Sequence, residues 1–219
     1  MQKKTFVASL VLAVLSVAMP ALAGPPFVCH AFAIGGAKSL PWDGDDWLGV
    51  KADYKIDHVV ADAQALLTPA TPTVVRMETL RRTVLYASLD RPIAQALILA
   101  LISRVKVAEF GEHPDSAALA TALFDAGYAI EALSEIEQNG NHMKPLAGRE
   151  PGLAGLTAGR DPRGMIERSA TLRPGDASIE FALALISRTP ERTMHAEKAR
   201  LGAREDGLLA LNLSRLPLQ

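Results

Sequence analysis

The chain has 219 residues, 49% of them hydrophobic and 21% charged, with 23 Lys and Arg against 24 Asp and Glu, five histidines and a single cysteine. A formal charge of −1 with no basic stripe offers nothing to a phosphate backbone, so nucleic acid is excluded as a partner class. One cysteine excludes an internal disulfide, and stability has to come from a core that a chain of this length and apolar content can build.

The first element is a targeting segment. A basic start (Met1-Gln2-Lys3-Lys4) leads into an apolar run from Phe6 to Met19, then Pro20 and Ala21-Leu22-Ala23. This layout predicts a secretory signal peptide over residues 1–23, cut after Ala23. The run is shorter than the roughly 20 residues of a membrane span, and the longest later apolar stretch, Ala96 to Ile102, is shorter still. The expectation is an exported protein, periplasmic or secreted, with no integral membrane segment after cleavage. Loss of Lys3 and Lys4 with the signal leaves 21 Lys and Arg against 24 Asp and Glu, a formal charge of −3.

Residues 24–56 read as an irregular segment. It contains Cys29-His30, the glycine pair of "GGAKS" at 35–39, and "WDGDDW" at 42–47. Thiolate and imidazole both ligate zinc or copper, but two adjacent ligands make half a site. The others would have to come from His58, His113, His142 or His195, which show no metal-motif spacing. The competing reading makes Phe27, Val28, Cys29 and Phe32 an apolar run in which the cysteine acts as a small hydrophobe. A nucleophilic Cys29 would need a base supplied by the fold, because neighbours in an extended chain point to opposite sides. In "WDGDDW" the alternation of acidic ligands that calcium wants breaks at Asp46, so it reads as a solvated turn between two tryptophans. "GGAKS" lacks the glycine spacing of a phosphate loop.

From residue 57 to 219 the apolar spacing is helical, the punctuation is Pro and Gly, and strand signals are nearly absent, which predicts a single all-α domain. Thr71-Pro72 offers an N-cap with proline in the first turn, and the helix that follows places Val74, Met77, Leu80 and Val84 on one side and Arg76, Glu78, Arg81 and Arg82 on a solvated face. Pro92 opens a helix whose "IAQALILALI" is apolar almost all round, the pattern of a central element. These two form an antiparallel hairpin. Pro114-Asp115 starts a third unit with Leu119, Leu123, Ile130, Leu133 and Ile136 as core. Its Gly127 marks either a break or a close helix contact, and Glu131, Glu135 and Glu137 lie on a solvated face. Residues 139–161 lose the periodicity and read as a connecting loop. Helices resume at about 162–172, 176–188, 191–203 and 205–216.

The stretch "SATLRPGDASIEFALALI" at 169–186 resembles the junction of two tetratricopeptide repeats, with Ala170 and Leu172 ending a second helix, Pro174 closing a repeat and Leu183-Ala184 at the paired small and large positions of the next first helix. "FDAGYAIEAL" at 124–133 resembles the middle of such a repeat, with Gly127 in the turn. Glu180 stands where that family carries a large aromatic. The resemblance covers about 114–138 and 162–203 and implies antiparallel helical hairpins, stacked as an α-solenoid or packed as an irregular bundle. The Cys-His dipeptide with "AKSLPW" also resembles a group of exported bacterial proteins to which no activity is attached.

Together these readings point to an exported helical scaffold or binding module for a protein or peptide partner. Its groove candidates are Arg81, Arg82, Tyr86, Tyr128 and Glu131. No catalytic residue and no cofactor are assigned. The alternative is a metal-binding or thiol-dependent enzyme using Cys29 and His30 with a histidine brought near by folding.

Overall fold

The computed structural model describes residues 27–44, 49–139 and 152–216, and among them the protein is all-helical, with no strand. Among the described residues eight α-helices follow in order: α1 (Val59–Leu66), α2 (Thr73–Ala87), α3 (Arg91–Phe110), α4 (Ser116–Gln138), α5 (Pro162–Leu172), α6 (Ala177–Ile186), α7 (Glu191–Gly202) and α8 (Gly207–Ala210). Short 3₁₀ turns at Phe27–Cys29 and Ile56–His58 precede them, and one at Leu213–Arg215 follows. Residues 1–23, where a signal peptide is expected, half of "WDGDDW" (Asp45, Asp46 and Trp47), His142 and loop residues 140–151 lie outside the described residues. Among the described residues no helix is long and apolar enough to cross a membrane.

Aspartates set most of the helix starts. Asp90, Asp115, Asp161, Asp176 and Asp206 each stand at the N-cap of α3, α4, α5, α6 and α8 and accept an otherwise orphaned backbone N–H of the first turn. Each cap of this kind contributes about 1 kcal/mol. Pro92 and Pro162 occupy the first turns of α3 and α5, where a missing N–H costs nothing. α2 differs from the expectation: Pro72 is its N-cap and makes no side-chain cap bond, while the Thr71 hydroxyl donates to the Leu66 carbonyl and closes the α1–α2 turn.

Burial exchanges the roles expected of α2 and α3. The arginine and glutamate side of α2 is not a solvated face: every residue of the helix except Arg82 is buried. α3, apolar almost all round, buries only Ala94, Leu97, Ile98, Leu101 and Val105, and leaves Leu99, Val107 and Phe110 between 58% and 77% exposed. The central helix is therefore the charged one. Its charges are tolerable inside because Glu78 is paired with Arg81 and Arg82 on the same helix and partners on other elements satisfy the rest, whereas hydropathy alone cannot say how many sides of a helix have neighbours.

One of those partnerships joins the first four helices. The Arg76 guanidinium, 1% exposed, donates from Nη1 to both Asp125 oxygens at 3.0 and 2.8 Å, and Arg104 Nη1 of α3 lies 3.1 Å from the same carboxylate. Arg76 also donates to the Thr71 and Thr68 carbonyls of the α1–α2 turn.

α4 runs unbroken for 23 residues through Gly127, which corrects the turn that the tetratricopeptide resemblance implied there. The glycine serves close approach: a Cβ at 127 would sit 2.6 Å from the Pro162 carbonyl oxygen and 2.8 Å from Ile166 Cγ1 of α5. The Ser169 hydroxyl of α5 adds a buried bond to the Ala120 carbonyl at 2.7 Å. α6 and α7 pack as a second hairpin, pinched where a Cβ on Gly202 would meet the Ala177 side chain. The described end of the long loop is tied down as well, Arg91 donating to the Gly152 and Ala154 carbonyls and Glu137 accepting from Gly155 N and the Thr157 hydroxyl.

Candidate functional site

Among the described residues two places combine shape with chemistry, a groove on α2 and α4 and an open cleft between α5, α6 and α7. In the groove, residues 28–42 lie across the charged side of α2 and are held through their main chain. Glu78 Oε2 accepts the Phe32 N–H at 3.0 Å, and Glu135 of α4 accepts the Val28 N–H at 3.1 Å. Arg81 donates to the Val28 carbonyl at 3.3 Å, Arg82 to the Leu40 carbonyl at 2.7 Å and Tyr86 to the Pro41 carbonyl at 2.7 Å. From the C-terminal side Asn212 brackets Ala33, accepting its N–H at 2.8 Å and donating to its carbonyl at 2.9 Å.

Glu78 is the hub. It is fully buried and receives Arg81 through two nitrogens, at 2.8 and 2.9 Å, and Arg82 at 2.6 Å. Burial pushes its carboxyl up, but the hydrogen bonds and charges of Arg81, with the Phe32 amide and Arg82, outweigh that and hold it below the ordinary glutamate value. Trp42 covers both guanidiniums, whose central carbons lie 4.8 and 5.6 Å from its ring centre, and meets Tyr86 edge-on at 5.9 Å. Val28, Phe32 and Leu40 are buried, Phe32 against Phe181 of α6 at 5.9 Å.

The residues proposed from sequence therefore divide. Arg81, Arg82 and Tyr86 come together around the chain's own N-terminal segment. Tyr128, fully buried, stacks on Phe124 at 5.8 Å and lies within electrostatic reach of Arg81, Glu78 and Glu135. Glu131 is half-buried elsewhere on α4, its carboxyl raised by burial and opposed by Arg163 of α5. Glu135 and Glu137, expected on a solvated face, each fasten a chain segment.

Cys29 is half-buried in that same segment. Burial pushes its thiol up to about 11, Glu135 adds to the rise and Arg81 opposes it. At neutral pH the group is a thiol, the reverse of what a nucleophile or a metal ligand needs. Among the described residues no group of three or more His, Cys, Asp or Glu is placed to hold a metal ion. Of the histidines named as co-ligands, His58 is exposed beside Asp57, His113 lines a hollow of about 710 Å³ between α3 and α4, and His195 is on α7.

The second place was not singled out in the sequence. A cleft of about 780 Å³ opens between α5, α6 and α7, with Glu167, Thr171, Glu180, His195, Lys198 and Arg204 among its lining residues. His195, only 7% exposed, donates from Nδ1 to Glu180 Oε2 at 2.5 Å, and Lys198 reaches the other Glu180 oxygen at 3.1 Å. His195 and Lys198, three residues apart, share one side of α7 and face the same carboxylate on α6. Leu183 and Leu201 supply apolar wall. A fixed imidazole, an ammonium and a carboxylate on an apolar wall can orient a polar or charged group while burying its apolar neighbour. The signal available was the hairpin register: Glu180 and His195 lie within two helical turns of the Ser187–Pro190 turn on opposite arms.

No protein-family model matches the chain, and neither a curated protein nor a solved structure is significantly similar to it.

Proposed function

We infer that the protein is an exported helical binding module that presents the cleft between α5, α6 and α7 to a protein or peptide partner. The observation that carries this reading is the Glu180–His195–Lys198 cluster, which lines an open cleft of about 780 Å³. That volume lies within the range of built ligand sites, and the mixed charge suits a peptide's side chains better than a polyanion. A helical-repeat reading of tetratricopeptide type finds support in the α5–α6 junction, where Pro174-Gly175 separates two helices, and in the α6–α7 hairpin. Export rests on the basic, apolar and small-residue order of residues 1–23.

The test is capture from the envelope fraction of the source cell by the mature chain and by a Lys198→Glu variant, with mass spectrometry of what is retained. Lys198 is more than half exposed, so the variant keeps the fold. The reading expects a partner held by the parent chain and lost with the charge reversal. Equal retention by both chains would remove the cleft from the function.

A further inference from the structure

We propose that the groove on α2 and α4 is a binding site for an extended polypeptide segment read through its main chain, and that residues 28–42 fill it in the resting chain as an internal occupant. This site is separate from the α5–α7 cleft and does not depend on it.

Three observations carry the proposal. The grip is on backbone: among the described residues, six side chains (Glu78, Arg81, Arg82, Tyr86, Glu135 and Asn212) make seven hydrogen bonds to N–H and C=O groups of residues 28–41. Such bonds leave the occupant's sequence free except where its side chains are buried. Those places are Val28, Phe32 and Leu40, while Ala33 and Gly35 to Lys38 between them are exposed. The requirement on a ligand is thus an extended segment with three apolar anchors at that spacing.

The floor of the groove is charged. A face covered permanently is served as well by apolar side chains, and a buried ion cluster adds little stability over a hydrophobic replacement. A face that is uncovered at times needs polar groups that water can satisfy when the cover lifts, and Glu78, Arg81 and Arg82 are such groups.

The occupant is also detachable in architecture. Beyond the 3₁₀ turn at Phe27–Cys29 and the turn Ala37 N to Ile34 O, residues 27–44 carry no secondary structure of their own, so lifting them breaks no helix. Segments with few internal bonds open at lower free energy than the whole fold.

Cys29 lies in the occupant and supplies a probe, since its half-buried thiol becomes fully reactive only when the segment lifts. The experiment labels the full mature chain with a maleimide at fixed pH, in the presence of a synthetic peptide of residues 27–44 with Cys29→Ser. A second peptide, identical but N-methylated at Phe32, cannot donate to Glu78. Because the tethered segment competes at an effective concentration of about 1 mM, peptide is titrated through that range. The proposal expects the labelling rate to rise saturably by about threefold or more with the first peptide and not with the second. A rate unmoved by the first peptide, or moved equally by both, overturns it.

Discussion

The Glu78 carboxylate and the Phe32 amide, 46 residues apart, meet at 3.0 Å inside the protein, and this bond is how an irregular segment becomes part of a helical fold. Around it Arg81 and Arg82 neutralise the carboxylate and turn their remaining donors to the Val28 and Leu40 carbonyls.

Acid should loosen this contact. The folded Glu78 holds its proton less tightly than its ordinary value of 4.5, so the unfolded chain binds more protons in the window just below that value. The stability contributed by Glu78 is fully present above pH 4.5 and is lost as the pH falls through the folded value. Tryptophan emission should shift in that window before far-ultraviolet circular dichroism shows helix loss. Glu78→Gln should remove the step and cost about 3 kcal/mol at neutral pH, because Arg81 is left buried without its counter-charge.

The Arg76–Asp125 pair permits a sharper test of buried charge. Arg76→Met should destabilise by about 3–5 kcal/mol in denaturant melts, since Asp125 keeps only the partly exposed Arg104. Arg76→Met combined with Asp125→Leu should recover the larger part of that loss, Arg104 turning out to water.

Gly127→Ala tests the α4–α5 contact. Alanine gains about 1 kcal/mol of helix propensity, but its Cβ meets a backbone carbonyl at 2.6 Å, and overpacking against backbone costs about 1–3 kcal/mol. The melting temperature should fall. Gly36→Ala, where an added Cβ meets nothing within 4 Å, should leave it unchanged or raise it.

Cys29 should behave as a protected thiol. With its value near 11 against an ordinary 9.0, the thiolate fraction at pH 8 is about a hundredfold smaller, and the higher intrinsic nucleophilicity restores part of that. Iodoacetamide should react roughly tenfold more slowly than with an unhindered thiol, and the rate should keep rising with pH to about 11. A plateau near pH 7 would mark an activated cysteine and revive the thiol chemistry that the dipeptide Cys29-His30 first raises.

The helical class and most helix starts were legible because their causes are local: Asp90 and Asp115 stand directly before the helices they cap, and Pro92 and Pro162 sit in first turns. The roles of α2 and α3 were not legible. Arg76 and Glu78 look solvated until Asp125, 49 residues on, and Phe32, 46 residues back, are known to meet them, and such pairings leave no periodicity. The groove residues Arg81, Arg82 and Tyr86 were picked for their chemistry, but their occupant, the protein's own N-terminal segment, emerges only in three dimensions. The cleft was missed because Glu180 and His195 are each unremarkable alone and become a pair only when α6 and α7 are set antiparallel.

The most direct test of the account is a nuclear Overhauser experiment on the folded protein. Seating of the N-terminal segment on α2 predicts cross-peaks between the Trp42 indole and the Tyr86 ring, and between the rings of Phe32 and Phe181, each pair 5.9 Å apart centre to centre. Sharp random-coil lines for Phe32 and Trp42, with neither cross-peak, would contradict it.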